Sequence, residues 1–356
     1  MRQSILFLTP YPCGTAASQR FRFEQYYDLL EQNGYSITVK SFLDKRTWTL
    51  LYQPSHYPRK ILGIILGFIR RIVVLAKLNK FDFVFIHREA APIGPPLIEW
   101  IIIKIFKKKV IFDFDDAIWI NNTSRQNRVV RQLRFPAKIR FMIKSAYKVS
   151  VANGMLSQFA SAFNSKVIIN PTTLDTELHH NKLKDHTAKR PVIGWTGTHS
   201  TLQYLDIIIP IFKELRTTHE FDIIIISDQD PVLKDLDYQF VKWCHDTEID
   251  DLLKMDIGIM PLSDDLWSQG KSGFKAMQYM ALGIPAVVSN VGVNANLVED
   301  GVSGYLCNNQ NEWEEALIKL MSSPQLRSAL GIKGREFVEK NFSVKSNAKN
   351  FLSIFF

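Results

Sequence analysis

The fold is decided by residues 270–289, which read GKSGFKAMQYMALGIPAVVS. The apolar spacing predicts a helix over Ser272–Leu282, and Gly283 and Pro285 are residues that end a helix. A continuous apolar run, Ala286–Val288, follows at once and predicts a buried strand. The stretch is therefore a helix-to-strand unit of the kind that builds parallel α/β sheets.

Two cations lie at the start of this helix. Lys271 and Lys275 are four residues apart and share one helix face, and Gln278 adds an amide one turn further. Together with the positive end of the helix dipole, two ammonium groups form an anion site, to which we also assign Ser272 and Phe274. The alternative is a surface helix with two solvated lysines.

The same alternation extends outward through the whole chain. Before residue 170 it predicts strands Ile5–Leu8, Ser36–Lys40, Phe83–His87, Val110–Phe114, Lys148–Ala152 and Lys166–Ile169, with helices Ser18–Asn33, Lys60–Leu78, Pro96–Phe106 and Gln126–Ala146. A polar, non-periodic stretch, residues 170–190, reads as a linker. Beyond it the pattern predicts strands Val192–Trp195, Phe221–Ile226, Phe240–Trp243, Ile257–Met260, Ala286–Val288 and Gly304–Leu306, with helices Ser200–Leu215, Ser272–Leu282, Glu312–Met321, Pro324–Asn341 and Ser343–Phe356.

We therefore predict two doubly wound α/β domains, in line with the 356 residues of the chain. The boundaries predicted are 1–180 for the first domain, 181–341 for the second, and 342–356 for a C-terminal helix.

Charge divides unevenly between the halves. Residues 1–170 hold 26 Lys and Arg against 10 Asp and Glu, whereas residues 171–356 hold 18 against 25. A basic half suits nucleic acid, an anionic membrane or a phosphorylated substrate. The basic residues alternate with long apolar helical stretches and no nucleic-acid module is evident, which favours a membrane surface over nucleic acid. Solvated helix surfaces on a basic protein are the alternative.

The cysteines and the apolar runs of the sequence indicate the cellular location of the protein. The three cysteines, Cys13, Cys244 and Cys307, are far apart and show no metal-ligand or redox spacing. The apolar run Ile5–Leu8 is too short for a signal sequence, and Ile61–Ile69 is far shorter than the about 20 residues of a membrane-spanning helix. We expect a cytoplasmic protein, located peripherally at the inner face of the membrane if the basic half binds lipid.

Polar groups that follow strands are the site candidates, because ligands of open parallel sheets bind beyond the carboxyl ends of the strands. After the first strand come Gly14, Arg20 and Arg22, with small residues and two cations at a helix start. After the third come His87, Arg88 and Glu89, three ionisable groups in a row. We assign these six residues to the acceptor side, although a plain turn and a solvated loop are the alternatives.

The fourth strand ends in a carboxylate cluster, Asp113-Phe114-Asp115-Asp116. Adjacent carboxylates raise one another's pKa and can bind substrate hydroxyls or a metal. We predict Asp115 and Asp116, with Lys275 from the second half, as the catalytic residues. A single Asp-x-Asp is a weak metal signal, and a helix cap is a further alternative.

The second domain opens with Gly197, Thr198 and His199, between a strand and a helix. Their backbone N–H groups and the helix N-terminus suit a donor diphosphate. A plain cap by Ser200 is the alternative.

Residues 278–306 resemble a known family. QYMALGIPAVVS (278–289), Gly292-Val293 and EDGVSGYL (299–306) resemble the donor-domain signature of retaining GT-B glycosyltransferases of the family-4-like group, glycosyl transferases group 1. The resemblance implies two Rossmann-like domains facing an interdomain cleft, with a nucleotide sugar on the C-terminal side and a last helix crossing back to the N-terminal domain. It also implies no obligatory metal or other cofactor, with the nucleotide-diphosphate sugar as co-substrate, and it places Trp243 beside the donor base.

The chain departs from that family at one point. The family usually carries a Glu-x7-Glu pair in this helix region, and here Gly270 and Gln278 stand at the corresponding positions. The resemblance then assigns the ribose contact to Gln278, whose amide both donates and accepts.

The function implied is transfer of a sugar from a nucleotide sugar to a glycan or lipid-linked acceptor, with retention, in cell-surface polysaccharide biosynthesis. The missing Glu pair leaves open a catalytically silent GT-B partner subunit that binds nucleotide or glycan. A sugar-nucleotide epimerase of similar fold is the other alternative.

Overall fold

The computed structural model describes residues 2–51, 53, 55–120 and 135–356. Contacts within the chain divide it into two compact units. The first unit holds Met1–Thr173 and Asn347–Phe356, and the second holds Leu174–Ser346. Each unit is built around one parallel sheet.

The first unit carries a six-stranded sheet in the order β2-β1-β3-β4-β5-β6, with parallel pairing throughout. Its strands are β1 Gln3–Thr9, β2 Tyr35–Ser41, β3 Phe83–His87, β4 Lys109–Phe114, β5 Lys148–Val151 and β6 Val167–Ile169. Its helices are α1 Ala17–Arg20, α2 Tyr27–Gln32, α3 Lys45–Leu51, α4 Tyr57–Ala76, α5 Leu97–Trp100, α6 Pro136–Ser145 and α7 Gly154–Ser161, with 3-10 turns at Glu24–Tyr26 and Leu78–Lys80 and a π-helical turn at Ile101–Ile105.

The second unit repeats the design in the order β12-β11-β10-β7-β8-β9, again with parallel pairing. Its strands are β7 Val192–Gly197, β8 Asp222–Ser227, β9 Gln239–Lys242, β10 Ile257–Met260, β11 Ala286–Ser289 and β12 Gly304–Cys307. Its helices are α8 Ile209–Leu215, α9 Glu248–Leu252, α10 Leu266–Gln269, α11 Phe274–Ala281, α12 Asn294–Leu297, α13 Gln310–Ser322 and α14 Pro324–Phe342, with 3-10 stretches at His199–Ile207 and His245–Thr247. The last helix, α15 Val344–Ser353, begins in this unit, and its residues from Asn347 onward group with the first unit.

The predicted fold class, two doubly wound α/β domains, is confirmed. The central strands are buried on both faces, as Ile5–Leu8 of β1 and Ile257–Met260 of β10 illustrate, whereas the edge strands β2, β6 and β9 are partly exposed. Burial on both faces is why the central strands read as continuous apolar runs. The C-terminal helix and the residues after it pack on aromatic rings: the Phe351 ring stacks on Tyr26 with centroids 4.1 Å apart, and the Phe355 and Phe7 ring centroids are 6.4 Å apart.

Two predicted helices differ from the structure for identifiable reasons. The predicted helix Ser18–Asn33 is broken into α1, a 3-10 turn and α2, because Phe21, Arg22 and Phe23 are all buried and one regular helix cannot direct three consecutive side chains inward. The predicted helix Ser200–Leu215 is a 3-10 stretch followed by α8, and Pro210 lies in the first turn of α8, where its missing N–H costs least.

Five short helices of the described chain were missed, namely α3, α7, α9, α10 and α12, and one predicted helix is only partly described. Helix α7 connects the parallel strands β5 and β6, and the Asn153 side chain caps it by accepting from Leu156 N at 2.9 Å. Of the predicted helix Gln126–Ala146, residues 126–134 lie outside the described residues, and the described part contains α6. Within the described residues, no helix combines the length and apolar character needed to span a membrane.

Candidate functional sites in the two units

In the second unit, the predicted donor residues gather where β7 ends. The hydroxyl of Tyr279, on α11, accepts from Thr196 N at 3.0 Å and donates to Ile259 O at 3.2 Å. This phenol is fully buried, and burial raises its pKa, so it stays protonated. The two hydrogen bonds fix α11 against the ends of β7 and β10, and therefore position the side chains of its first turn.

Lys275, in the first turn of α11, and Lys271, which precedes the helix, both lie over aromatic rings. Lys275 Nζ is 5.5 Å from the ring centroid of Trp195, on β7. Lys271 Nζ is 5.4 Å from the Trp267 ring and 5.9 Å from the Tyr204 ring. Both side chains are half-buried. The negative face of an aromatic ring attracts an ammonium group, so the rings help to position both lysine side chains.

Glycines make this arrangement possible. A Cβ at Gly197 would lie 2.4 Å from the Trp195 ring, so a side chain there would displace the ring that lies beneath Lys275. Gly273 precedes α11 with a φ of +69°, a conformation that favours glycine. Ser272 and Phe274, the predicted donor residues on either side of Gly273, are half-buried.

The loop that follows β7 is held by a carboxylate. Thr198 forms a reciprocal capping box with Thr201 at the start of the 3-10 stretch. The His199 backbone N donates to Asp228 Oδ1 at 2.6 Å, and His199 Nδ1 lies 2.7 Å from Asp228 Oδ2. Asp228 directly follows β8, so two neighbouring strand ends meet at this loop.

A second group of predicted donor residues lies around Glu248, which the sequence reasoning missed. Trp243 Nε1 donates to Glu248 Oε1 at 3.2 Å, and Gln278 Nε2 approaches the same oxygen at 3.4 Å. His179 Nε2 lies 3.7 Å from the other carboxylate oxygen. Glu248 and Gln278 are both buried. Glu248 belongs to the acidic stretch 246–251, whose composition predicts exposed side chains and not a buried carboxylate.

In the first unit, His87 and Arg22 converge on Asp113 beneath the surface. Ser150 Oγ donates to Asp113 Oδ1 at 2.6 Å, His87 Nδ1 lies 2.8 Å from Asp113 Oδ2, and Arg22 forms an ion pair with the same carboxylate and donates to Asn170 O. Burial raises the pKa of Asp113, but Arg22 and His87 outweigh it and hold that pKa well below its usual range. His87 is 0% and Arg22 1% exposed. These two predicted acceptor residues are therefore buried inside the first unit, where they hold the Asp113 carboxylate.

Arg88 lies above this network with a positive φ of 58°. It joins the two predicted catalytic carboxylates, at 2.7 Å from Asp115 Oδ1 and 2.8 Å from Asp116 Oδ2. Burial alone would lower the pKa of Arg88, but the two carboxylates outweigh it and the net shift is upward. The three residues therefore form one partly exposed ion cluster.

The other predicted residues of this unit have further contacts of their own. Gly14 has a φ of +78° and its N–H donates to Glu24 Oε2 at 2.8 Å. Arg20 is buried, with its guanidinium 4.7 Å from the Phe21 ring centroid. Glu89 lies 3.8 Å from Lys138 Nζ, a buried ammonium that also pairs with Glu99 at 2.9 Å. Across the described parts of the chain, no group of three His, Cys, Asp or Glu is arranged to hold a metal ion.

Comparison with known proteins finds a family match that lies within the second unit. Residues 190–323 match the family model of glycosyl transferases group 1. The spore coat protein SA of Bacillus subtilis is 35% identical over 79 residues, which are 21% of this chain and 21% of that protein. The chain thus spans about a fifth of the length of this curated relative. The resemblance seen in residues 278–306 is confirmed.

Solved structures extend the likeness to the whole fold. Sucrose-phosphate synthase from Thermosynechococcus elongatus has a TM-score of 0.73 at 14% identity, over 99% of this chain and 98% of that one. The Anabaena protein HepE in complex with UDP and glucose has a TM-score of 0.63 at 17% identity, over 99% of each chain. The chain therefore has the GT-B fold, with two Rossmann-like domains.

Proposed function

We propose that this protein is a glycosyltransferase that moves a sugar from a nucleotide-sugar donor to a glycan or lipid-linked acceptor, with retention of configuration. The observation that carries the proposal is the pair Lys271 and Lys275, held over aromatic rings beside the glycine loop at the end of β7. The match of residues 190–323 to glycosyl transferases group 1 covers this region, and HepE, which has the same fold, was solved in complex with UDP and glucose.

The donor diphosphate would lie between the two lysines and the loop at Gly197. In transfer with retention, the bond from the sugar to the diphosphate breaks and negative charge accumulates on the leaving phosphate. Two fixed ammonium groups stabilise that charge more in the transition state than in the ground state, which lowers the barrier. The acceptor oxygen forms the new bond to the anomeric carbon on the face that the diphosphate leaves, and the leaving phosphate accepts the proton of the acceptor hydroxyl.

The nucleoside would lie against the group built on Glu248. Trp243 offers an aromatic face to a base, and Gln278 offers an amide to the ribose. Glu248 fixes both side chains through one carboxylate oxygen. Since Gln278 replaces the family's usual glutamate, this carboxylate, supplied by α9, keeps a negative group next to the proposed ribose site.

The acceptor side is assigned to Arg88, Asp115 and Asp116. Their ion cluster is partly exposed, so its carboxylates are able to orient sugar hydroxyls while Arg88 limits their net charge. An acceptor in cell-surface polysaccharide synthesis, free or lipid-linked, supplies hydroxyls of this kind. No metal or other cofactor is required by this scheme.

The test is Lys275→Ala, with Lys234→Ala, an exposed lysine between β8 and β9, as the matched control. A thermal-shift panel of UDP-, GDP-, ADP- and CMP-sugars first identifies the donor, because a ligand that binds only the native state raises the Tm. Sugar transfer by Lys275→Ala should then fall roughly ten- to a thousandfold at an unchanged Tm without donor. Near-normal transfer by that variant would overturn the donor-site assignment.

A nucleotide-binding GT-B subunit without transfer is the second candidate. Gly270 and Gln278, which stand where the resembled family has glutamates, favour it. A donor that raises the Tm of the native protein but is neither transferred nor hydrolysed, across a panel of glycan and lipid-linked acceptors, would support this candidate. NMR of the donor without acceptor would reveal epimerisation instead.

A further inference from the structure

Helix α4 presents its large apolar side chains to solvent. Its exposed apolar residues follow one another at intervals of one, three or four positions and form one continuous stripe along the 20-residue helix, with exposed fractions from 39% to 70%. They are Tyr57, Ile61, Leu62, Ile65, Leu66, Ile69, Ile72 and Val73. A stripe of this kind ordinarily packs on a protein core, so its exposure needs a partner.

The opposite face of α4 fixes this orientation. A Cβ at Gly63 would lie 2.3 Å from the Thr47 side chain, and one at Gly67 would lie 2.6 Å from the Phe42 ring, so the helix packs at close range through its glycines. Arg71 is buried on the same face and donates to three backbone carbonyls, those of Thr9, Lys40 and Ala90, at 2.6 to 2.8 Å. Rotating the helix would break these contacts, so the apolar stripe stays outward.

A cavity of about 390 Å³ borders the same helix. Ile69 and Val73 of the apolar stripe form part of its wall, and four cationic side chains also line it: Lys40, Arg70, Lys77 and Lys80. Arg70 pairs with Asp44 at 2.5 Å. Among the described residues, no carboxylate forms an ion pair with Lys40, Lys77 or Lys80. The cavity therefore joins an apolar wall to an excess of positive charge.

We infer that α4 docks the first unit on an anionic phospholipid surface, with its apolar stripe among the acyl chains and lipid phosphates at the cationic cavity. An apolar face bordered by lysines complements a bilayer that is apolar within and negatively charged at its surface. The net positive charge of residues 1–170 adds long-range attraction. The inference deepens the proposed function, because it names the surface from which a lipid-linked acceptor would be reached.

The experiment is vesicle flotation of the full chain with phosphatidylglycerol vesicles and with phosphatidylcholine vesicles. The native protein should float with the first and remain largely unbound with the second. Ile65→Ser with Ile72→Ser should weaken binding at least tenfold. Lys77→Gln with Lys80→Gln should weaken it several-fold and reduce its dependence on salt, since each lysine near the surface contributes roughly a fivefold factor.

Matched controls come from the second unit. Ile332→Ser replaces an equally exposed helical isoleucine, and Lys189→Gln with Lys340→Gln removes two exposed lysines. Both should float like the native protein, and circular dichroism should give every variant the native Tm. Absence of flotation with the anionic vesicles, native-like flotation of the α4 variants, or a stable dimer that Ile65→Ser with Ile72→Ser dissolves would overturn the inference. The donor-induced Tm shift, which all these variants should retain, separates this outcome from failure of the proposed function.

Discussion

The two units use cations in different ways. In the first, Arg22 and Arg88 pair with carboxylates that follow or end the same strand, β4. In the second, Lys271 and Lys275 lie over aromatic rings. A buried carboxylate offsets the charge of the cation it pairs with, whereas an aromatic ring positions a cation through its π face and carries no net charge of its own. Net charge alone therefore does not locate the proposed anion site. The basic half holds Arg22 and Arg88 in ion pairs, and the acidic half holds the proposed donor lysines.

The largest expected effect comes from breaking a buried pair of the first unit. Asp113→Ala leaves Arg22 and His87 buried without their carboxylate and should lower the free energy of unfolding by about 3–5 kcal/mol. Asp222→Ala, which removes the half-exposed partner of Arg190, should cost about 1 kcal/mol or less. Urea unfolding of both variants measures the difference, and equal losses would contradict the scaffold role of Asp113.

The same network predicts a pH dependence. The folded-state pKa of Asp113 lies below its unfolded value of about 3.9, so its stabilisation is fully present above that pH and is lost as the pH falls further. Asp113→Asn should flatten the acid limb of the stability curve, measured by urea unfolding between pH 5 and the acid transition.

A smaller loss of stability is expected from adding a side chain at Gly197, the last residue of β7. Gly197→Ala places a methyl group against the Trp195 ring and should cost about 1–3 kcal/mol. Because that ring lies under Lys275, the donor-induced Tm shift should fall as well. Gly154→Ala, where nothing lies within 4 Å of the added Cβ, is the control and should leave both quantities nearly unchanged. A native-like donor-induced Tm shift in Gly197→Ala would show that the loop after β7 does not contribute to the donor site of the lysines.

The smallest effect concerns His186 in the second unit. Its Nε2 donates to Gly283 O at 2.8 Å, and burial lowers its pKa despite Asp256 at 3.9 Å. The neutral form is therefore favoured in the fold, so its contribution is complete above the unfolded value of about 6.5 and declines as the pH falls through the folded pKa. His186→Gln should lose this decline, measured as Tm from pH 8 to pH 5, and an unchanged slope would contradict it.

The sequence predicted most of the fold because its signals are local. Strand β10 and the core of β3 follow from apolar runs, and α11 follows from helical spacing ended by Gly283. Breaks inside predicted helices, as at Arg22, were missed because they depend on which side chains the sheet buries. Short helices such as α7 carry too few residues for a periodic signal.

The candidate site was predicted only in part. Lys271, Lys275 and Gln278 share one helix, so their spacing alone brings them together. Glu248 is 30 positions from Gln278 and meets it only because the fold of the second unit brings α9 to α11.

The succession of strands along the chain, the doubly wound class and the lysine pair follow from local sequence patterns, since each depends on residues close together in the chain. Only the tertiary structure decided that Asp113 gathers Arg22, His87 and Ser150, and that α4 faces outward with its apolar stripe. Those outcomes depend on which strand ends become neighbours and on how closely two glycines let a helix approach, and residues far apart in the chain settle both.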